Sequence, residues 1–341
     1  MMIRLRKFMS PLQNAREAPL WLDSFDQSLH GRKPLDGPVS VDVAIIGGGY
    51  SGLWTAYYLL ENDPSLRVLI IEKEFCGYGA SGRNGGWCEG ALAGGTEKYA
   101  KRSTMDEALR LERTMFRTVD EIQRVLDSED INCDFHKGGF VSVARNLPQA
   151  LRQRSAVELA RERGTAEEII RILDADEARA HVNATNVHSG IFFAPSAVVD
   201  PGKMVRGLAK AVERKGGTIV EGTTALSIST GKVVCTEGVV SADVIVQATE
   251  GYTRDIKGKK LDLLPVYSRM IATEPLTDSQ MNKTQYVRAI KQAAAEIGTF
   301  FMGLVLITGP IWAKPIWGTF WIWEPRLTTT LILFLFYYYE L

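Results

Sequence analysis

The sequence predicts an α/β fold: a parallel sheet flanked by helices, with a C-terminal transmembrane α-helical segment. Three observations predict it. An apolar, β-branched run from Val41 to Ile46 leads into glycines spaced G-x-G-x-x-G and then into the apolar stretch "LWTAYYLL". A second apolar run, "RVLIIEK", follows that stretch. From Ile297 onward the only charged residues are Lys314, Glu324, Arg326 and Glu340, and four of the seven tryptophans lie there.

The chain of 341 residues is long enough for one large α/β unit or two domains. Forty basic residues balance forty acidic ones, so no excess of positive charge draws it to nucleic acid. Cys76, Cys88, Cys133 and Cys235 have no paired spacing and no histidine cluster beside them, and they read as reduced thiols rather than disulfides or metal ligands. The N-terminal "MMIRLRKFMSPLQ" is basic but has no apolar core, which argues against a cleaved secretory signal. The composition shift sets the organisation: an N-terminal extension (1–40), a nucleotide-binding part (41–276), a junction (277–290) around "EPLTDSQMNKTQ", and an apolar, tryptophan-rich part (291–341).

In the first strand, the apolar run suits burial on both faces. Gly47, Gly49 and Gly52 then have separate tasks: a tight turn, close approach of backbone to a pyrophosphate, and close packing of helix on strand. The following helix offers free N–H groups and a partial positive charge to the phosphates. The second strand ends in Glu72, twenty residues beyond Gly52, where a carboxylate can accept both ribose hydroxyls. These residues specify a dinucleotide without choosing between FAD and NAD. The next loop, "GYGASGRNGG", holds five glycines between Gly77 and Gly86. It reads either as a surface loop or as backbone laid along a large cofactor, with Gly79, Ser81, Arg83 and Asn84 as contacts.

"LWLDSF", the glycine fingerprint, "GASGRNGGW" and "VIVQATEGYT" together resemble FAD-dependent oxidoreductases of the D-amino-acid oxidase superfamily, in the branch of glycine, sarcosine and γ-glutamylputrescine oxidases. The resemblance spans roughly residues 20–276. It implies a Rossmann-like FAD-binding domain with an interleaved α+β substrate domain. The implied reaction is oxidation of a small-molecule amine or amino acid by hydride transfer to flavin N5. It also places Ala248, with Thr249 and Gly251, near the cofactor. Glu250 departs from the family, which often has asparagine there. The resemblance stops after "LLPVYSRMIATEPL", before the family's remaining substrate-sheet strands and last nucleotide-domain strand and helix, so a truncated pocket is expected. No catalytic residue is assigned.

Between these motifs, "MDEALRLERTMFRTVDEIQRVLDSE" and "LPQALRQRSAVELARERG" have helical spacing with a charged face. "FHKGGFVSVARN" reads as a hairpin, in which His136 is either a substrate-facing group or a structural histidine. His181 and His188 flank a polar loop and point to no function. Asp200 and Pro201 are placed to start a helix as its cap and first residue. "GVVSADVIVQATEG" reads as two strands.

The tail changes the chemistry. Residues 293–312, "AAAEIGTFFMGLVLITGPIW", match the roughly 20 residues needed to cross a bilayer. Arg288 and Lys291 just before them favour a cytoplasmic N-terminal side, which puts the flavin-binding part on the cytoplasmic face of the cytoplasmic membrane. The loop that follows, "WAKPIWGTFWIWEPR", reads as an interfacial aromatic belt or as a shelf for a planar ligand with carboxylates. Roughly residues 285–339 resemble the tryptophan-rich domain of haem exporter C proteins of cytochrome c maturation. That resemblance implies haem binding, with Trp317, Trp321, Trp323 and Arg326 on the motif and Glu324 where the family usually has aspartate. The family's iron-holding histidines have no counterpart, since His30, His136, His181 and His188 all precede the junction. The last apolar run, Leu327 to Leu341, has 15 residues. As a helix it would span roughly 22 Å, short of the roughly 30 Å hydrocarbon core. Three readings follow: a membrane-tethered FAD enzyme, a membrane haem-binding module, and a non-functional fusion of two fragments.

Overall fold

A computed structural model of the chain describes residues 20–22, 31–182 and 184–265. The chain divides into a unit of residues 1–270 and another of residues 271–341. The expected membrane segment and tryptophan loop lie outside the described residues. Among the described residues, no helix is long and apolar enough to cross a membrane.

The chain runs through β1 (Val39–Ile46), α1 (Tyr50–Asn62), β2 (Val68–Ile71), β3 (Trp87–Glu89), α2 (Thr96–Ala100) and α3 (Met105–Ser128). It continues through β4 (Phe140–Ala144), α4 (Leu147–Glu162), β5 (Ile170–Leu173), α5 (Ala175–His181), β6 (Ser189–Phe193) and β7 (Ser196–Val198). It returns through α6 (Pro201–Arg214), β8 (Thr218–Val220), β9 (Ala225–Ser229), β10 (Lys232–Cys235) and β11 (Val239–Gln247). The main sheet has the order β8-β2-β1-β11-β10-β9. Its first four strands are parallel and the β11-β10-β9 edge is antiparallel.

Alternate side chains of the parallel strands fill two separate cores, as the pleat requires. Val43, Ile45, Val68 and Ile70 pack with Leu53 and Tyr57 of α1 and with Val205 and Leu208 of α6. Ala44, Ile46, Leu69 and Ile71 join Leu35, Val233 and Val240 on the other side. All four residues of β2 are buried, which explains its unbroken apolar run.

Between β2 and β8 the chain makes the interleaved α+β part: the β3-β7 pair and an antiparallel β4-β6-β5 sheet. Its helices begin where their caps dictate. Thr104 and Glu107 form a capping box at α3, and Asp174 and Glu177 form another at α5. Asp200 accepts the Lys203 N–H at 3.0 Å to start α6, with Pro201 in the first turn.

Two sequence expectations change. The stretch around "FHKGGFVSVARN" is not a hairpin: β4 pairs with β6, some way along the chain, and His136 bridges to Val198. The glycines that suggested a turn are at Gly138 and Gly139, and Gly139 has φ +74°, so the chain bends there before β4 begins. "VVSADVIVQ" is one strand rather than two, because β11 pairs with β1 on one side and β10 on the other. The polar Ser241 and Asp243 lie on its exposed positions and do not interrupt it.

Candidate functional site

The parallel strands β1, β2 and β11 all end at one cavity of about 240 Å³. In open α/β sheets this carboxyl end is where ligands bind. The β1 end turns at Gly47, with φ +110°, where an added Cβ would lie 2.4 Å from the Ala248 carbonyl oxygen. Only glycine fits that conformation and approach. Gly49 also lines the cavity, and a Cβ on it would meet Ser81 Oγ at 2.9 Å. Gly52 does not line the cavity: a Cβ there would sit 2.1 Å from the Gly47 carbonyl oxygen, so its task is packing α1 against the turn. α1 starts without a side-chain cap and has no acidic residue in its first turn. Its positive end is therefore not neutralised by its own first turn.

Glu72 follows β2 directly and lines the cavity. Its Oε2 accepts the Gly48 N–H at 2.7 Å and its Oε1 accepts the Glu74 N–H at 2.9 Å. A carboxylate has about four acceptor positions, so two remain for hydroxyls of a bound ribose. Burial raises the Glu72 carboxyl above its ordinary value, and the two backbone donors only partly oppose this.

The glycine-rich loop contributes Gly77 to Ser81 to the wall. Gly79 lies under Tyr252, 3.2 Å from where its Cβ would be, and Ser81 Oγ accepts the Tyr50 N–H at 2.9 Å. Arg83 and Asn84 are not among the lining residues. The Arg83 guanidinium stacks over the Tyr78 ring at 4.4 Å. Asn84 donates to the Ala80 and Ser81 carbonyls and accepts the Gly86 N–H, so it shapes the loop. Ala248 lines the cavity at the end of β11, and its N–H donates to the Ile46 carbonyl at 2.8 Å.

Among the other lining residues, Thr249, Glu250 and Tyr252 belong to the "VIVQATEGYT" stretch. Thr223 and Thr224 come from the β8–β9 turn, Ala225 opens β9, and Asp255 and Ile256 follow β11; only their position after a strand end could have marked these. Trp317, Trp321, Trp323 and Arg326 lie outside the described residues.

The residues present fit FAD. The glycine turn admits backbone to a pyrophosphate, the N-terminus of α1 faces it with its charge free, and Glu72 has acceptors for a ribose. Known proteins agree. The model of the family described as FAD dependent oxidoreductase (DAO) matches residues 42–304. The chain is 30% identical over 260 residues to Probable oxidoreductase OrdL of Haemophilus influenzae, covering 72% of this chain and 58% of that protein. It is 28% identical over 249 residues to Gamma-glutamylputrescine oxidoreductase of Escherichia coli, covering 72% of this chain and 57% of that protein. The chain thus spans less than two thirds of the length of these relatives. A stretch of 46 residues is 59% identical to Heme exporter protein C of Paracoccus denitrificans, covering 14% of this chain and 19% of that protein.

Among solved structures, L-amino acid deaminase from Proteus vulgaris with its specific insertion sequence deleted has a TM-score of 0.57 at 18% identity, covering 69% of this chain and 59% of its own. Glycine oxidase from Geobacillus kaustophilus has a TM-score of 0.53 at 22% identity, covering 65% of this chain and 58% of its own. At those identities the likeness concerns the fold. With the family model matching residues 42–304, more than half of the chain, the chain belongs to the FAD-dependent oxidoreductases of the DAO family.

Proposed function

We propose that the chain binds FAD in this cavity and serves oxidation of the C–N bond of an amine or amino acid. The observation that carries the reading is the glycine cradle beside Glu72 within the region matched to the FAD-dependent family. Bound there, FAD supplies a hydride acceptor, flavin N5, for the carbon bearing the amine. The chain's own residues bind and orient. Glu72 holds the ribose, the 47–49 turn and the start of α1 take the pyrophosphate, and the Gly77–Ser81 loop walls the cofactor. The Escherichia coli relative's name makes γ-glutamylputrescine the first amine to try. The test is anaerobic mixing of the FAD-loaded chain with such amines. Loss of the oxidised flavin's visible absorption supports the reading. A chain that binds FAD but is bleached by no amine fits a fusion of incomplete pieces instead.

The match to Heme exporter protein C favours a second role for the tail. In this reading Trp317, Trp321, Trp323 and Arg326 contact haem, and residues 293–312 tether the chain in the cytoplasmic membrane with the flavin part inside. A haem absorption band after adding haemin to membranes carrying the chain would support it, as would protease protection of the flavin part in sealed cells. Wild-type haem affinity in a variant with the three tryptophans replaced by alanine would sink it.

A further inference from the structure

One buried charge near the cavity is not explained by the cofactor. Glu221 follows β8 and is 3% exposed. Its Oε1 accepts from Arg32 Nη1 at 2.9 Å and from the Cys76 N–H at 2.8 Å, while Oε2 has no partner. Burying a carboxylate costs several kcal/mol unless the charge is paired. The pairing residue comes from outside the family-matched region, which begins at residue 42. Arg32 also grips Glu213 of α6 with two nitrogens, each at 2.7 Å. Three residues later Leu35 enters the core, and its N–H donates to Thr223 Oγ1 at 2.9 Å.

These contacts converge on the cofactor loops. Thr223 lines the cavity. Cys76, held by Glu221, precedes Gly77, whose N–H donates to the Gly48 carbonyl at 3.0 Å. The Cys76 sulfur lies 2.7 Å from where a Cβ on Gly48 would be, so the loop abuts the fingerprint turn directly.

We propose that Arg32 and Glu221 are positioning residues for FAD: this ion pair fixes the Cys76–Ser81 loop against the Gly47–Gly49 turn and thereby sets cofactor affinity. The inference rests on the cavity being the FAD site. It separates from a purely structural role because a buried ion pair replaced by apolar groups of similar size often leaves stability unchanged. In the full chain, Arg32→Met/Glu221→Met removes the acceptor for the Cys76 N–H while keeping the volume filled. The apo-chain should then melt close to wild type, exchange the Cys76 and Gly77 amides faster, and bind FAD about tenfold more weakly, as expected for one lost charged hydrogen bond. Wild-type exchange together with wild-type FAD affinity would overturn the proposal. If the double variant does not fold, Arg32→Lys takes its place, keeping the charge but losing the fork. Faster exchange at Cys76 and Gly77 in that variant supports the positioning role, and wild-type exchange overturns it. Failure of the wild-type chain to take up FAD would sink the reading of the cavity instead, while the exchange comparison in the apo-chain still decides what holds the loop.

Discussion

The Glu72 carboxylate accepts two backbone N–H groups and keeps acceptors for a ribose, so Glu72→Ala acts twice. It removes charged hydrogen bonds to the cofactor, weakening FAD binding by about 1–3 kcal/mol. It also frees the Gly48 N–H inside the fingerprint turn. Titration with FAD followed by fluorescence quenching checks this, and unchanged affinity would discard the ribose assignment. The pH dependence follows from burial, which raises this carboxyl. Between its ordinary and its raised value the folded apo-chain holds a proton that the unfolded chain has lost. Apo stability therefore declines as pH rises through that window, whereas FAD affinity, which needs the carboxylate, declines as pH falls through it. Gly47→Ala is expected to cost about 1–3 kcal/mol, because alanine at φ +110° is strained and its Cβ would run into the Ala248 carbonyl. A urea midpoint equal to wild type would show that the turn relaxes. The meeting of Gly47, Gly49 and Glu72 at one strand-end cavity was legible in sequence, because their spacing sets them at the ends of two adjacent strands. The roles of Arg83 and Asn84 were not, because guanidinium stacking on Tyr78 and amide bonds within the loop depend on a loop path that no spacing rule encodes.

Among the elements, α6 joins sequence signal to packing most directly. Asp200 caps it through the Lys203 N–H, Pro201 opens it, and Val205, Leu208 and Val212 lie on one face against the sheet. Asp200→Ala leaves that N–H unsatisfied and is expected to cost about 0.5–2 kcal/mol. A denaturant midpoint unchanged from wild type would contradict the cap. The long helices and the parallel strands were readable from their apolar patterns, a stripe along one face of a helix and a near-continuous run in a strand buried on both faces. Strand pairing was less so. β4 reaches across to β6, and β11 stays continuous through Ser241 and Asp243, because the partners that decide pairing lie far away in sequence. Polar residues on one face of a strand look like a break when the neighbouring strands are unknown.

For the whole molecule, the cavity wall is assembled from separate stretches near residues 46–51, 71–81, 223–225 and 248–256. They sit on both the parallel and the antiparallel sides of the main sheet, so a ligand there braces strands distant in sequence. A ligand that binds only the folded state stabilises it by about 2.7 kcal/mol at a hundredfold excess over its dissociation constant. For a folded unit of this size that corresponds to a rise in melting temperature of roughly 5–10 °C. The full chain is expected to show this rise with FAD and to lose most of it when Glu72 is alanine. Haemin offers the contrast, because the residues proposed to meet it lie in the tail and share no motif with the FAD cradle. Any haem-linked change should therefore persist in Glu72→Ala and vanish when Trp317, Trp321 and Trp323 are replaced. If FAD produces no shift in the wild-type chain, the cavity does not hold the cofactor in this molecule. If the Glu72 variant loses the haem response as well, the two sites are coupled, and the chain is a single working unit rather than two independent parts.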